Sequence, residues 1–196
     1  MDKVGTVIIA IFQLLSKILM VFFQLTFRPQ ITRPQGLRVP RGTLIVSNHQ
    51  SFLDPWLVCH YIPLKDVLTM LPLRYPVTPE YIRRPILGFF IRCFGGYDIG
   101  YTSLEKAKRL LYTRDLIHAG YTVMLFPEGK LEKEGLGEFQ KGVDMLAQED
   151  IPLLLARISG INNGFDFSRV RLKFSSLIKD VPAEEKVGRI YEFFKE

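Results

Sequence analysis

The sequence is short of sulphur and of imidazole, with two cysteines and three histidines in 196 residues. Cys59 and Cys93 both sit in apolar runs. They offer neither a disulfide framework nor a metal-ligand spacing, and they read as core residues of a protein kept in a reducing compartment. No repeats, low-complexity tracts or nucleic-acid-binding motifs occur. Lys and Arg outnumber Asp and Glu by 26 to 20, a net charge of +6, which favours an anionic partner, phospholipid or nucleic acid; with no nucleic-acid motif, membrane phospholipid is the one expected. No small-residue cleavage site precedes Arg28, which argues against a removable signal peptide.

What is abundant is apolar surface. Hydrophobic residues make up 47% and the mean hydropathy is +0.12, high for a soluble globule of a size that suits one domain with a sizeable core. Residues 4–27 form an apolar stretch long enough to cross a bilayer. Yet Thr6, Gln13, Lys17 and Gln24 recur at intervals of seven, four and seven, which stacks them into one polar stripe on a helix. That pattern suits a helix lying in the bilayer interface, its apolar arc buried in lipid and Lys17 snorkelling. A spanning helix and a buried core helix are the alternatives; mid-segment Lys17 disfavours the first and the length disfavours the second. Arg28, Arg33, Arg38 and Arg41 follow at once, which places the rest of the chain on the cytoplasmic side and supplies cations for anionic headgroups. The organisation expected is a membrane-anchoring helical segment over 1–28, a linker or short edge strand over 29–41, and one α/β domain over 42–196.

The stretch V-S-N-H-Q-S-F-L-D-P, residues 46–55, follows a β-branched run that reads as a buried strand over 43–47. A helix opens after it. Ser51 has capping-box spacing to Asp54, and Asp54 before Pro55 is itself an N-cap followed by an N1 proline. His49 and Asp54 are five residues apart, about 140° around a straight helix, so only a turn can bring them together. If the carboxylate folds back onto the imidazole it fixes the tautomer and leaves the second ring nitrogen as a base able to deprotonate a hydroxyl. The alternative is a structural histidine beside an ordinary helix cap. A second motif, F-P-E-G at residues 126–129, ends another buried strand over 121–126, and strand ends are where open α/β sheets keep their ligands.

Together N-H-Q-S-F-L-D and F-P-E-G resemble the paired signatures of the glycerolipid acyltransferases, the family that includes the 1-acylglycerol-3-phosphate acyltransferases. The likeness extends over most of the chain beyond the N-terminal segment. Arg84–Gly88 with Gly95–Ile99 resembles the family's second block, Gly135–Gly142 the segment after its third, and Ile151–Leu155 its fourth. The resemblance implies transfer of an acyl group from acyl-CoA or acyl carrier protein to a lysolipid hydroxyl, most commonly that of 1-acyl-sn-glycerol-3-phosphate, with His49 as base and Asp54 as its orienting partner. It implies no cofactor and requires no covalent enzyme intermediate; His49, Asp54 and Glu128 lack a metal-ligand pair spacing, so no metal is expected. Glu128 and Gly129 would shape the acceptor site, although Glu128 reads equally as an anchor for its own turn. Two arginines that the family uses for the acceptor phosphate are replaced by Tyr101 and Leu131. Lys130, Lys141 and Arg157 are the candidates to supply the charge, and an acceptor other than lysophosphatidic acid is the alternative. A lipid carrier that keeps the fold without turnover is a third reading.

The remaining elements complete an α/β domain with a mixed, mostly parallel sheet flanked by helices. Strands are expected at 66–71, 96–99, 151–158 and 168–175. Helices are expected at 85–94, 103–120, 139–148 and 183–194, His118 serving the C-terminal end of the second. A surface loop is expected where Pro72, Pro76 and Pro79 break regular structure.

Overall fold

The computed structural model describes residues 3–132, 137–161 and 169–195, with only the backbone given for residues 3, 4 and 23–27. Strands alternate with helices because short apolar, β-branched runs alternate with longer stretches of period 3.6. Seven strands form one sheet in the order β1-β7-β6-β2-β5-β3-β4. They are β1 (Gln30–Thr32), β2 (Leu44–Ser47), β3 (Leu73–Val77), β4 (Gly96–Asp98), β5 (Thr122–Leu125), β6 (Leu153–Ser159) and β7 (Arg171–Phe174). Only β6 and β7 pair antiparallel; every other neighbouring pair is parallel. The fold is therefore the α/β arrangement expected, with a mixed and mostly parallel sheet.

β2 lies at the centre, flanked by β5 and β6, and all four of its residues are buried. Its pleat divides the core. Ile45, with Met124 and Leu154 from the neighbouring strands, faces a cluster built on α2 (Asp54–Tyr61) and α3 (Leu64–Met70). Leu44 and Val46, with Val123, Leu125, Leu153 and Leu155, face α6 (Ser103–His118), α7 (Gly142–Ala147) and α8 (Ala183–Lys195) on the other side. Fully buried parallel strands need apolar side chains on both faces, which is why these runs are continuous rather than alternating. α6 opens on a capping box: Thr102 accepts from the Glu105 amide while Glu105 accepts from that of Thr102. That satisfies two backbone donors the first turn leaves unpaired.

Two expectations fail in one place. Of residues 66–71, expected as a strand, all but Leu71 belong to helix α3, and the proline-broken loop that follows contains strand β3. In α3 the buried side chains are Asp66, Val67 and Met70, while Leu64 and Leu68 are more than half exposed; exposed leucines conceal the helical period. β3 tolerates Pro76 because its pairing to β5 is confined to Leu73 and Arg74, and at Pro76 only β4 is alongside. A strand residue with one neighbour can lack its N–H. The helix expected over 139–148 starts later, at Gly142, and the linker region contributes β1 to the sheet edge. Gly135, Leu136 and residue 168 of the expected last strand lie outside the described residues.

α1 (Lys3–Phe27) corrects the reading of the polar stripe, which faces the domain instead of water. Gln13 is buried and fully bonded: its Nε2 donates to the carbonyls of Leu73 and Phe94, both at 2.7 Å, and its Oε1 accepts from the Leu73 amide at 2.9 Å. Lys17 does not snorkel. Its Nζ donates to the carbonyls of His60 (2.6 Å) and Ile62 (3.2 Å). The Thr6 hydroxyl lies 3.2 Å from that of Tyr121, and the side chain of Gln24 lies outside the described residues. The apolar arc opposite is open, with Leu15, Ile18, Leu19 and Phe22 each 57–69% exposed. Beside it α5 (Pro85–Cys93) exposes Ile86, Phe89 and Phe90, and Phe12 meets Phe94 edge to face.

Candidate active site

Parallel pairing of β2 with β5 sets Val46 opposite Leu125, so two motifs about eighty residues apart in sequence leave the sheet side by side. Beyond β2 the chain turns sharply before α2, and the turn is built on Asp54. Its carboxylate is fully buried and takes four donors: Oδ2 accepts from the amides of Gln50 (2.7 Å) and Ser51 (2.8 Å) and contacts His49 Nδ1 at 2.8 Å, while Oδ1 accepts from Ser51 Oγ at 2.7 Å. Asp54 therefore reaches back to residues before the helix and is not its N-cap; nor is Ser51, since the cap position is Leu53 with no side-chain bond. Ser51 Oγ bonds the carboxylate, which leaves no Ser-His-Asp relay. With Nδ1 held by Asp54, the ring presents Nε2 from a side chain that is 19% exposed. Its plane stacks on Phe126 at 4.0 Å and 19°.

The F-P-E-G turn anchors the other side of the histidine. Glu128 is buried; its Oε2 accepts from the His49 amide (2.8 Å) and its Oε1 from that of Gly137 (3.3 Å). Burial raises the Glu128 carboxyl above its ordinary range, against the two amides that favour the charged form. The His49 carbonyl accepts from the Glu132 amide at 2.8 Å, so both backbone groups of His49 are fixed by the loop after β5. Gly129 sits at φ +67°, a left-handed conformation that a side chain disfavours. A Cβ there would meet only Gln140 at 3.5 Å, so the backbone angle, not space, calls for glycine.

Two further positioning residues carry less sequence signal. Asn48 is buried and grips β6: its Nδ2 donates to the Ile158 carbonyl and its Oδ1 accepts from the Ile158 amide, both at 2.7 Å. An amide side chain at the end of a buried strand is the one hint of this. Phe126, the stacking partner, reads in sequence as strand core. Cys59 is no competing nucleophile, because burial pushes its thiol up to about 11.

The predicted charge donors are dispersed. Lys130 is exposed and paired with Glu132 at 2.7 Å. Lys141 is exposed just before α7. Arg157 lies on β6 one residue past the Ser47–Ala156 pair, at the sheet edge that bears His49. Tyr101, where the resemblance expects an arginine, is 56% exposed, and the Arg83 guanidinium lies 4.9 Å over its ring. Arg83 also bonds Asp98 at 3.3 Å. A cation thus stands beside the substituted position, brought by a different residue. Leu131 is half-buried in the loop that holds Glu132.

The chain is similar in fold to the crystal structure of the 1-acyl-sn-glycerophosphate (LPA) acyltransferase PlsC from Thermotoga maritima, with a TM-score of 0.65 and 19% sequence identity over 95% of this chain and 77% of that one. Residues 28–157, which carry both motifs, the strands that align them and all four donors to Asp54, match the family model for acyltransferases. On that match, which takes in about two thirds of the sequence, the chain belongs to the acyltransferase family.

Proposed function

We propose that this protein moves a fatty acyl group from an acyl thioester, acyl-CoA or acyl carrier protein, to the free hydroxyl of 1-acyl-sn-glycerol-3-phosphate, giving phosphatidic acid. The observation that carries the reading is the buried, fourfold-bonded Asp54 with His49 Nδ1 at 2.8 Å. A carboxylate so held cannot turn away, so Nδ1 keeps the proton and Nε2 keeps its lone pair for the acceptor hydroxyl. His49 takes the hydroxyl proton as the oxygen attacks the thioester carbonyl. The tetrahedral intermediate then expels the thiolate, which recovers the proton from the imidazolium. Asp54 stabilises that imidazolium between the two transfers. No enzyme-bound acyl group is needed.

Glu128, on this reading, fixes the His49 backbone and shapes the acceptor site from behind. The acceptor phosphate draws on Lys130, Lys141 and Arg157, with Arg83 beside Tyr101 as a further cation. The open apolar arc of α1 holds the protein at the cytoplasmic face of a membrane, lying in the interface, where a lysolipid can reach His49 without leaving the bilayer. The substitutions at Tyr101 and Leu131 favour a second reading, in which the same chemistry serves an acceptor with a different headgroup.

The test is turnover in detergent with each acyl donor, comparing lysophosphatidic acid with lysophospholipids of larger headgroup. His49→Ala is the blank and should lose about 10²–10⁴-fold in rate. Preference for lysophosphatidic acid supports the first reading, and preference for a larger headgroup replaces it with the second. Turnover unchanged in His49→Ala overturns His49 as the base, and turnover absent from the parent with every pair overturns both readings and leaves a lipid carrier.

A further inference from the structure

A cleft of about 930 Å³ opens between α1 and the C-terminal end of α2, within the size range of small-molecule sites. Its apolar wall is Leu14, Ile18 and Val21 of α1 facing Ile31 and Leu64. Three cations, Lys17, Arg28 and Arg33, line the same cleft, and among the described residues no aspartate or glutamate does.

Each cation is placed by the fold. Lys17 Nζ is held on the carbonyls of His60 and Ile62, and Arg33 Nη1 on that of Tyr61 at 2.9 Å. These are terminal carbonyls of α2, which no helical amide satisfies. An ammonium has three donors and a guanidinium five, so both groups keep donors after capping the helix. Arg28 adopts φ +40° where α1 ends, the left-handed position with which helices commonly terminate. It turns the chain from α1 into β1 and stands at the cleft mouth. Burial lowers the Lys17 ammonium below its ordinary value and Arg33 adds repulsion; a bound anion would favour the charged form of both groups. The neighbouring Arg38, outside the cleft, already has a carboxylate in Asp66 at 3.8 Å.

This site is not the catalytic one. α2 runs from Asp54 to Tyr61, and at 1.5 Å per residue its two ends stand about 10 Å apart.

We infer that the cleft binds a bilayer phospholipid of net negative charge, its phosphate on Lys17, Arg28 and Arg33 and one acyl chain along Leu14 and Ile18. Charge decides the headgroup, since three converging cations without an acid leave a phosphate diester as the complement. Continuity decides the source. Ile18 is 60% exposed and belongs at once to the cleft wall and to the apolar arc of α1, so a lipid chain can pass from one to the other without crossing water. A small free anion would leave the apolar wall uncovered.

The inference goes beyond the proposed acyl transfer and does not depend on it, because binding here should persist in His49→Ala. The test is native mass spectrometry of the full-length protein in neutral detergent, titrated with dioleoylphosphatidylglycerol or dioleoylphosphatidylcholine. Parent and His49→Ala should both retain one phosphatidylglycerol, at occupancy several-fold above phosphatidylcholine. Arg28→Gln and Arg33→Gln should each weaken retention about fivefold, and Ile31→Trp, which fills the cleft, should remove it. Arg28 is exposed and makes no hydrogen bond to other described groups, so its variant tests the site without risk to folding. Equal retention of the two lipids, retention indifferent to Arg28 and Arg33, or full displacement by inorganic phosphate at matched concentration would overturn the inference. Loss in His49→Ala alone would assign the lipid to the catalytic site instead.

Discussion

At one end of α2 a buried carboxylate has its oxygens occupied by four donors, and at the other end three carbonyls are capped by two cations with donors to spare. The first arrangement is closed. It leaves a single group, His49 Nε2, facing outward, and everything around that group serves to hold it still. The second is open, with positive charge in excess and an apolar wall beside it. Eight residues of helix thus separate a place suited to moving one proton from a place suited to holding one anion. The difference teaches that saturation and excess are both readable signs of use: a satisfied buried charge orients something, whereas cations gathered without an acid await a partner.

The comparison breaks most decisively at the closed end. Asp54→Ala removes the acceptor for the amides of Gln50 and Ser51 as well as the partner of His49. Turnover should fall about 10³-fold, and thermal unfolding should show a loss of about 3 kcal/mol from stranded buried donors. A variant that keeps half the activity would show that His49 needs no orienting carboxylate. Glu128→Ala should act next in size. It frees the His49 backbone without touching its ring, so kcat should drop about 10–100-fold while the donor KM stays put. Glu128→Gln, which can still accept from the His49 amide, should recover much of that; a change in acceptor KM alone would mean that Glu128 touches the lipid.

The smallest effect belongs to the open end. His60 is buried with no partner among the described residues for Nδ1, and burial, reinforced by the Lys17 ammonium, lowers its pKa from 6.5 to about 4. Between those values the unfolded chain binds a proton that the folded chain does not. Stability on this account is complete above pH 6.5 and is lost as pH falls towards 4. Chemical denaturation across that window should show a slope in the parent that His60→Gln flattens, a difference of about 1–3 kcal/mol by pH 4. Equal slopes would mean that His60 is solvated.

How much of this was legible beforehand follows from where the determining contacts lie. The turn that joins His49 to Asp54 was readable because its parts are local: a strand, a histidine and an aspartate five residues on. The alignment of F-P-E-G beside it was expected from the family resemblance, and the Val46–Leu125 pairing provides it. The caps were misread because Asp54 bonds residues that precede it, and spacing alone cannot tell a backward reach from a forward one. α3 reads as a strand because exposed Leu64 and Leu68 hide a helix, and β3 reads as a loop because Pro76 hides a strand that lacks one neighbour. The polar stripe of α1 was seen correctly as a stripe, but whether it faces water or carbonyls depends on Leu73, Phe94, His60 and Ile62, far along the chain. Asn48 escaped notice for the same reason, its partner being Ile158.

The docking of α1 also bears on how the protein can be handled. An apolar N-terminal helix invites removal when a water-soluble domain is wanted, yet here that cut would strip Leu73 of both backbone partners in Gln13 and leave the end of α2 without Lys17. A cut placed after residue 32 would remove β1 as well and turn β7 into an open sheet edge, a template for strand-to-strand aggregation. Solubility is better sought by replacing Leu15, Leu19 and Phe22 with polar residues and keeping the inner stripe, since the helix is attached through the side that looks, in sequence, least suited to attachment.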